Sequence, residues 1–234
     1  FASDEVAPPA GGVDPARDHG TLETELVLLD LLTVEHRLER LRVDMTRTRG
    51  HDRRVNEAEV ELLERFRAEL ESERPLRAVV DELSPGERKM IRGHGFLSLR
   101  PILVIHNVSD DAPWAHAPLD PLGPHAAAMT LHGRLEAEIA RLAADERASF
   151  LAEYGIAEPG VARVIRIGYI LLGLQSFFTV GEDEVRAWTV HVGATAVEAA
   201  GAIHTDLARG FIRAEVATYD DLVALGDMKA VKAA

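Results

Sequence analysis

Near its carboxyl end the chain carries "AGAIHTDLARGFIRAEV", residues 200–216, in which His204 and Asp206 stand two apart around Thr205, with Arg209 and Arg213 following. A histidine beside a carboxylate can work as an acid–base pair, because imidazole titrates near neutral pH. The same spacing also suits a structured polar turn. A second candidate is "VIHNVSDD", where the apolar run Ile102–Ile105 ends in Asn107, Val108, Ser109 and Asp110. A short continuous apolar run predicts a strand buried on both faces of a parallel sheet. In such sheets ligands sit just past the carboxyl ends of the strands. The plain alternative is a turn, which Asn and Asp favour. A third candidate is "RVDMTRTRGHDRR", which sets Arg42, Arg47, Arg49, Arg53 and Arg54 against Asp44 and Asp52. Guanidinium groups match phosphate oxygens in geometry, so this cluster is either a phosphate-binding patch or a solvated loop. The scattered histidines His19, His36, His94, His116 and His125 show no metal-ligand spacing. Trp114 and Trp188 are expected to pack rather than to stack on a ligand.

The 234 residues suffice for one large domain or two ordinary ones. Net charge is −13, which argues against nucleic-acid binding over the whole surface while leaving a local patch open. There is no Cys, so disulfides, thiolate metal sites and a thiol nucleophile are excluded, and a reducing compartment is the natural setting. No run approaches the ~20 apolar residues of a membrane-spanning helix. The opening "FASDEVAPPAGG" lacks the features of a secretory signal, and its first residue is not Met, which suggests a start further upstream.

Residues 1–20, rich in Pro, Gly and Asp, read as loop, with Thr21 as the cap of a following helix. Leu22, Leu26, Leu29, Val34, Leu38, Leu41 and Met45 recur at helical spacing. After a break at Gly50, Val55, Ala58, Leu62, Phe66 and Leu70 define a second helix, with Glu57, Glu59, Glu61, Glu64 and Arg65 on its solvated face. Together they predict an αα-hairpin with the basic cluster at its tip. "SPGERKMIRGHGF" predicts a short helix capped by Ser84 and Glu87. Four prolines within 111–125 exclude a long helix there. "GRLEAEIARLA", "DERASFLAEYGI" and "EPGVARVIRIGYILLG" read as helices. Then the period changes: "LQSFFTV" and "EVRAWTV" predict strands around "GEDE", "GFIRAEV" a further strand, and "TYDDLVALG" a helix capped by Thr218.

The stretch "EVRAWTVHVGATAVEAAGAIHTDLARGFIRAEV" resembles the C-terminal TGS domain of the YchF/Obg-like ATPase family: "RAWT", "AAG", "IHTD" and "GFIRAE" fall in the family's order. The resemblance extends upstream through "VDPARDHGTLETELVLLDL" and "RLEAEIARLAADERASFLAEYGI". It implies an α/β chain: part of a P-loop G domain with a parallel sheet over residues 1–20 and 76–173, an antiparallel helical (coiled-coil) insert over 21–75, and a small α+β β-grasp TGS domain over 174–234 whose last strands are missing. It also implies a cytoplasmic, ribosome-associated ATPase, monomeric, with neither membrane nor DNA as partner. Asn107, Val108, Ser109 and Asp110 then occupy the base-reading motif, where the family carries Asn-x-x-Glu, and the backbone at Val108 would meet the adenine edge. Gly133 and Arg134, after His132, correspond to the second loop beside the base. The family's motif implies ATP as the expected nucleotide, and Asp110 in place of the family's Glu restores the GTPase-type acid, the Lys still absent, which leaves GTP an open alternative.

No Gly-x-x-x-x-Gly-Lys-Ser/Thr occurs in this sequence, and no Asp-x-x-Gly element precedes the helical stretches. Those elements hold the phosphates and Mg²⁺. The chain therefore reads as an internal piece of a longer protein, inactive in hydrolysis alone, with no catalytic residues of its own and with the Mg²⁺ ligands elsewhere. The tip arginines Arg47, Arg49, Arg53 and Arg54, with His204 and Asp206 as a recognition turn, are the expected contacts to ribosome or RNA. The alternative is a non-catalytic ribosome- or RNA-binding module in which nucleotide plays no part.

Overall fold

The structure, a computed structural model, describes residues 11–110, 122–154, 156, 158–181, 184–227 and 230–231. It divides into two compact units between Leu171 and Leu172. The first opens with α1 (Pro15–Arg47) and α2 (Gly50–Glu71), packed as a hairpin around residues 48–49. Helix α1 starts earlier than Thr21, and residues 15–20, expected as loop, are helical. Asp14 caps it, accepting from Arg17 N at 3.0 Å, and Pro15 takes the first helical position. Thr21 lies inside the helix, its hydroxyl donating to the Arg17 carbonyl.

The hairpin seam joins Val27, Val34, Leu38 and Leu41 of α1 to Leu62, Leu63, Phe66 and Leu70 of α2, and extends to Leu76, Leu83, Ile91 and Phe96. Leu22, Leu29, Val55 and Ala58, expected in this seam, are exposed. Buried charges account for the rotation. Asp30, 2% exposed, accepts hydrogen bonds from Leu97 N (2.8 Å), Ser98 N (2.7 Å) and Ser98 Oγ (2.7 Å). Arg77, equally buried, donates its backbone N–H and its guanidinium to the Ser98 carbonyl and pairs with Glu23. Glu59, expected on the solvated face, is 6% exposed: Arg37 grips it with two hydrogen bonds of 2.6 and 2.8 Å, and His94 Nε2 lies 3.0 Å away. Burial would raise the Glu59 carboxyl, but the Arg37 hydrogen bonds and charge, joined by His94, outweigh it and hold the group below its ordinary value.

Residues 76–98 bring α3 (Pro85–Met90), whose Ser84 and Glu87 form the expected capping box. Next comes β1 (Ile102–Asn107), paired in parallel with β2 (Ala126–Leu131) from Ile102↔Ala126 to Asn107↔Leu131. The double-sided burial expected of β1 is not found: its residues are half-buried and Ile105 is exposed. Among the described residues the sheet has two strands, which leaves β1 with one neighbour, and α6 (Gly160–Leu171) packs on the pair. Between the strands, 111–121, with most of the proline-rich stretch, His116 and Trp114, lies outside the described residues. Helices α4 (Gly133–Arg141) and α5 (Ala144–Glu153) enclose a small core of Leu135, Ile139 and Ile156. The Glu136 carboxylate of α4 accepts from Gly160 N at 2.7 Å, capping α6.

The second unit holds β3 (Leu174–Val180) antiparallel to β4 (Val185–His191), then α7 (Ala196–Ile203), α8 (Thr205–Arg209) and α9 (Tyr219–Leu225). Trp188 packs within the pair as expected, donating Nε1–H to Thr179 Oγ1 under the Arg186 guanidinium. Thr218 caps α9 as expected. The expected strand at "GFIRAEV" does not form: residues 211–218 join no ladder, and Ile212 and Val216 stand almost fully exposed. β-propensity takes effect only against a neighbouring strand, and among the described residues none lies alongside.

Two outcomes test the buried charges. Asp30→Ala strands three donors, two of them on the backbone, and should lower unfolding free energy by about 3 kcal/mol in denaturant titration. Because Glu59 is held below its ordinary value, its contribution is complete above the normal carboxylate range and is lost as pH falls through the lowered value. Glu59→Gln should therefore cost about 2 kcal/mol at neutral pH, and the gap between the melting temperatures of wild type and variant should close on acidification. A gap independent of pH would contradict the ion-pair account.

Candidate functional site

The carboxyl ends of β1 and β2 are tied together by side chains from the candidate loop. Asn107, the last residue of β1, accepts from Gly133 N at 2.9 Å through Oδ1. Val108, nearly buried, extends the ladder by donating its N–H to the Leu131 carbonyl at 3.0 Å. His132 is fully buried, and its Nδ1 faces the Ser109 carbonyl at 2.9 Å. Against a carbonyl, that nitrogen must carry the proton. Asp110 Oδ2 lies 3.7 Å from Arg134 Nε, an exposed and correspondingly weak pair. The structure thus brings Asn107, Val108, Ser109, Asp110, Gly133 and Arg134 to one rim. It adds His132 as the buried pin between the two loops, a role that no spacing in the sequence marks.

Gly133 is required by its surroundings. A Cβ at this position would lie 2.7 Å from Asn107 Oδ1 and 3.2 Å from its Cγ. With Gly133 at the first position of α4, the Asn107 carboxamide can reach the helix's opening N–H. What the rim offers chemically is hydrogen bonding: a carboxamide, the carboxylate of Asp110, the Arg134 guanidinium and backbone groups at a strand end. That set can hold the polar edge of a planar heterocycle, and it contains no nucleophile with an adjacent base.

The other candidates fall elsewhere. Arg47 closes α1, Arg49 is the residue before α2, and Arg53 and Arg54 lie in its first turn, so the basic cluster does occupy the hairpin tip. All four are exposed. Arg53 pairs with Glu57 at 2.9 Å, whereas among the described residues Arg47, Arg49 and Arg54 form no ion pair. His204 ends α7 and caps α8, its Nδ1 accepting from Asp206 N at 3.2 Å. That use requires an unprotonated Nδ1. The Asp206 carboxylate, 3.6 Å from it, lies as near to Arg209, at 3.5 Å. Both side chains are well exposed, which describes a helix junction rather than a shielded acid–base pair. Arg213 does not join them. Among the described residues no group of three His, Asp or Glu is placed to hold a metal.

Residues 174–234 match the family model YchF-GTPase_C, described as "Protein of unknown function (DUF933)". The chain is similar to the Ribosome-binding ATPase YchF of Haemophilus ducreyi, 42% identical over 95% of this chain and 61% of that protein. It is similar to Obg-like ATPase 1 of Caenorhabditis elegans, 35% identical over 100% of this chain and 60% of the relative. The solved structure of the Schizosaccharomyces pombe YchF GTPase matches with a TM-score of 0.81 at 27% identity, over 99% of this chain and 64% of that one. The chain thus spans about 61% of the length of the first relative.

Gly133→Ala tests the rim. Helix propensity alone favours Ala, so any loss reports the Asn107 contact. Expected are a drop of about 1 kcal/mol in stability and displaced Asn107 side-chain amide resonances. Unchanged resonances would show that the two loops are not coupled through this bond.

Proposed function

The chain belongs to the YchF/Obg-like ATPase family, and from that premise we propose that it is the base-reading and partner-binding part of a cytoplasmic, monomeric, ribosome-associated ATPase. The observation that carries this reading is the bond from Asn107 to Gly133 N, which closes the end of β1 onto the start of α4. In the proposed role, residues 76–173 are the C-terminal part of a G domain, residues 21–75 its helical insert and residues 174–234 a TGS domain. The nucleobase lies against Asn107–Asp110 on one side and Gly133–Arg134 on the other, with the Val108 backbone toward the adenine edge. ATP is the proposed nucleotide from the relatives named as ATPases, with GTP the alternative because Asp110 supplies a GTPase-type acid.

The residues present suit a base better than a triphosphate. A sequence without Gly-x-x-x-x-Gly-Lys-Ser/Thr lacks the loop that grips β- and γ-phosphates, and the rim's one carboxylate, that of Asp110, faces Arg134. This chain alone is therefore proposed not to hydrolyse ATP, and none of its residues is assigned a step in phosphoryl transfer. What it supplies is orientation: a hydrogen-bonding rim for a base and a hairpin whose tip presents cations.

The relatives named Ribosome-binding ATPase YchF support the ribosome as partner, and the exposed tip arginines suit ribosomal RNA phosphate. His204 and Asp206 are proposed to form a second recognition point in the TGS unit. The uncommitted guanidinium groups of Arg47, Arg49 and Arg54 also favour a second reading, a module that docks on the ribosome whatever the nucleotide. Co-sedimentation with ribosomes tests the partner. Changing Arg47, Arg49, Arg53 and Arg54 together to Ala should weaken association about tenfold or more. Raising salt from about 50 to about 200 mM should weaken the wild type on the order of a hundredfold and the variant much less. Equal retention of both at both salt levels would remove the tip from the account, and nucleotide-independent association would select the second reading.

A further inference from the structure

Between the middle of α1 and the turn after α3 lies a cavity of about 520 Å³ that the base-reading rim does not touch. Arg37, Arg40, His36 and Thr33 of α1 line one wall, and Met90, Gly93 and His94 line the other. The lining is mostly apolar and the cleft is open, and its charged groups, the exposed Arg40 and the half-buried Arg37, are donors. Arg37 commits Nε and one terminal nitrogen to Glu59, which leaves its second terminal nitrogen free to donate toward a ligand. Glu59 is used up by Arg37 and His94 together. Among the described residues Arg40 and His36 engage no hydrogen bond or ion pair. Asp44, further along α1, adds a weaker field at Arg37 but does not line the cavity. Arg37 and Glu59 offset each other, while Arg40 stands with the imidazoles of His36 and His94 on the same lining.

A concave wall whose charged side chains are the two guanidinium groups favours an anion. Its guanidinium forks match tetrahedral phosphate oxygens. The Glu59 fork and the stacking of His94 on Phe96, with ring centroids 5.4 Å apart, hold the wall in place before anything binds, which reduces the ordering cost of binding. The cavity's size suits a diphosphate or a mononucleotide rather than a folded nucleic acid.

We propose that this cavity is a second binding site, for a small phosphorylated ligand held by Arg40, His36 and the free terminal nitrogen of Arg37. It is independent of the base-reading rim. The test is titration of the whole chain with magnesium-free pyrophosphate, followed by calorimetry and by amide NMR. Saturable binding with shifts at residues 33–40 and 91–94 is expected. Arg40→Gln should weaken it about tenfold or more. Gly93→Leu should block it with every charge retained, since a Cβ added there meets nothing within 4 Å and its side chain can fill the space. Asn107→Ala should leave it unchanged, which separates this site from the rim. Absence of saturation, binding that survives both Arg40→Gln and Gly93→Leu, shifts confined to the tip arginines, or equally tight binding of citrate would each overturn the phosphate assignment.

Discussion

Asp30 is the constraint on which the first unit depends. A carboxylate that is 2% exposed has to find donors, and it finds three in Leu97 and Ser98. That choice seats α1 against the segment leading into β1, which begins four residues later at Ile102. Arg77 secures the carbonyl of that same Ser98. The helical hairpin and the strand that ends in Asn107 thus share one anchor. A six-residue strand rises roughly 20 Å, so the anchor fixes one end of β1 and the base-reading residues extend from the other. Glu59, Arg37 and His94 repeat the device higher on the hairpin and tie α2 to the turn after α3.

At the rim the same logic operates with neutral groups. Asn107 satisfies an N–H that the first turn of α4 would otherwise leave open. His132 satisfies the Ser109 carbonyl from a fully buried position. The loops are therefore shaped before a ligand arrives, which is the condition for recognition by a few hydrogen bonds. Removal of the side chain at residue 133 is part of that arrangement, because any Cβ there would occupy the place of the Asn107 carboxamide.

Features encoded by neighbours in the chain were legible in the sequence. The capping box at Ser84, the cap at Thr218, the hairpin break near Gly50, the strands β1, β3 and β4 and the family signature over residues 184–216 all rest on local spacing. The misses share a cause. Asp30, Glu59 and Arg77 look like surface charges until partners up to 68 residues away are placed beside them. Strand β2 is made largely of alanines, which carry little strand signal. "GFIRAEV" carries that signal but has no partner strand among the described residues. At the start of α1, Asp14 and Thr21 are both capping types, and Pro15 was the residue that discriminated between them. His36 and His94 look unrelated in sequence yet line one cavity.

The central claim is that residues 107–110 and 132–134 receive a nucleobase. The most direct measurement is amide NMR of this chain titrated with adenosine and with guanosine, which carry a base and no phosphate. Shifts confined to Asn107–Asp110 and His132–Arg134, larger with adenosine and abolished by Asn107→Ala, are expected. Shifts confined to the hairpin or the second unit, or none at either nucleoside's solubility limit, would contradict it.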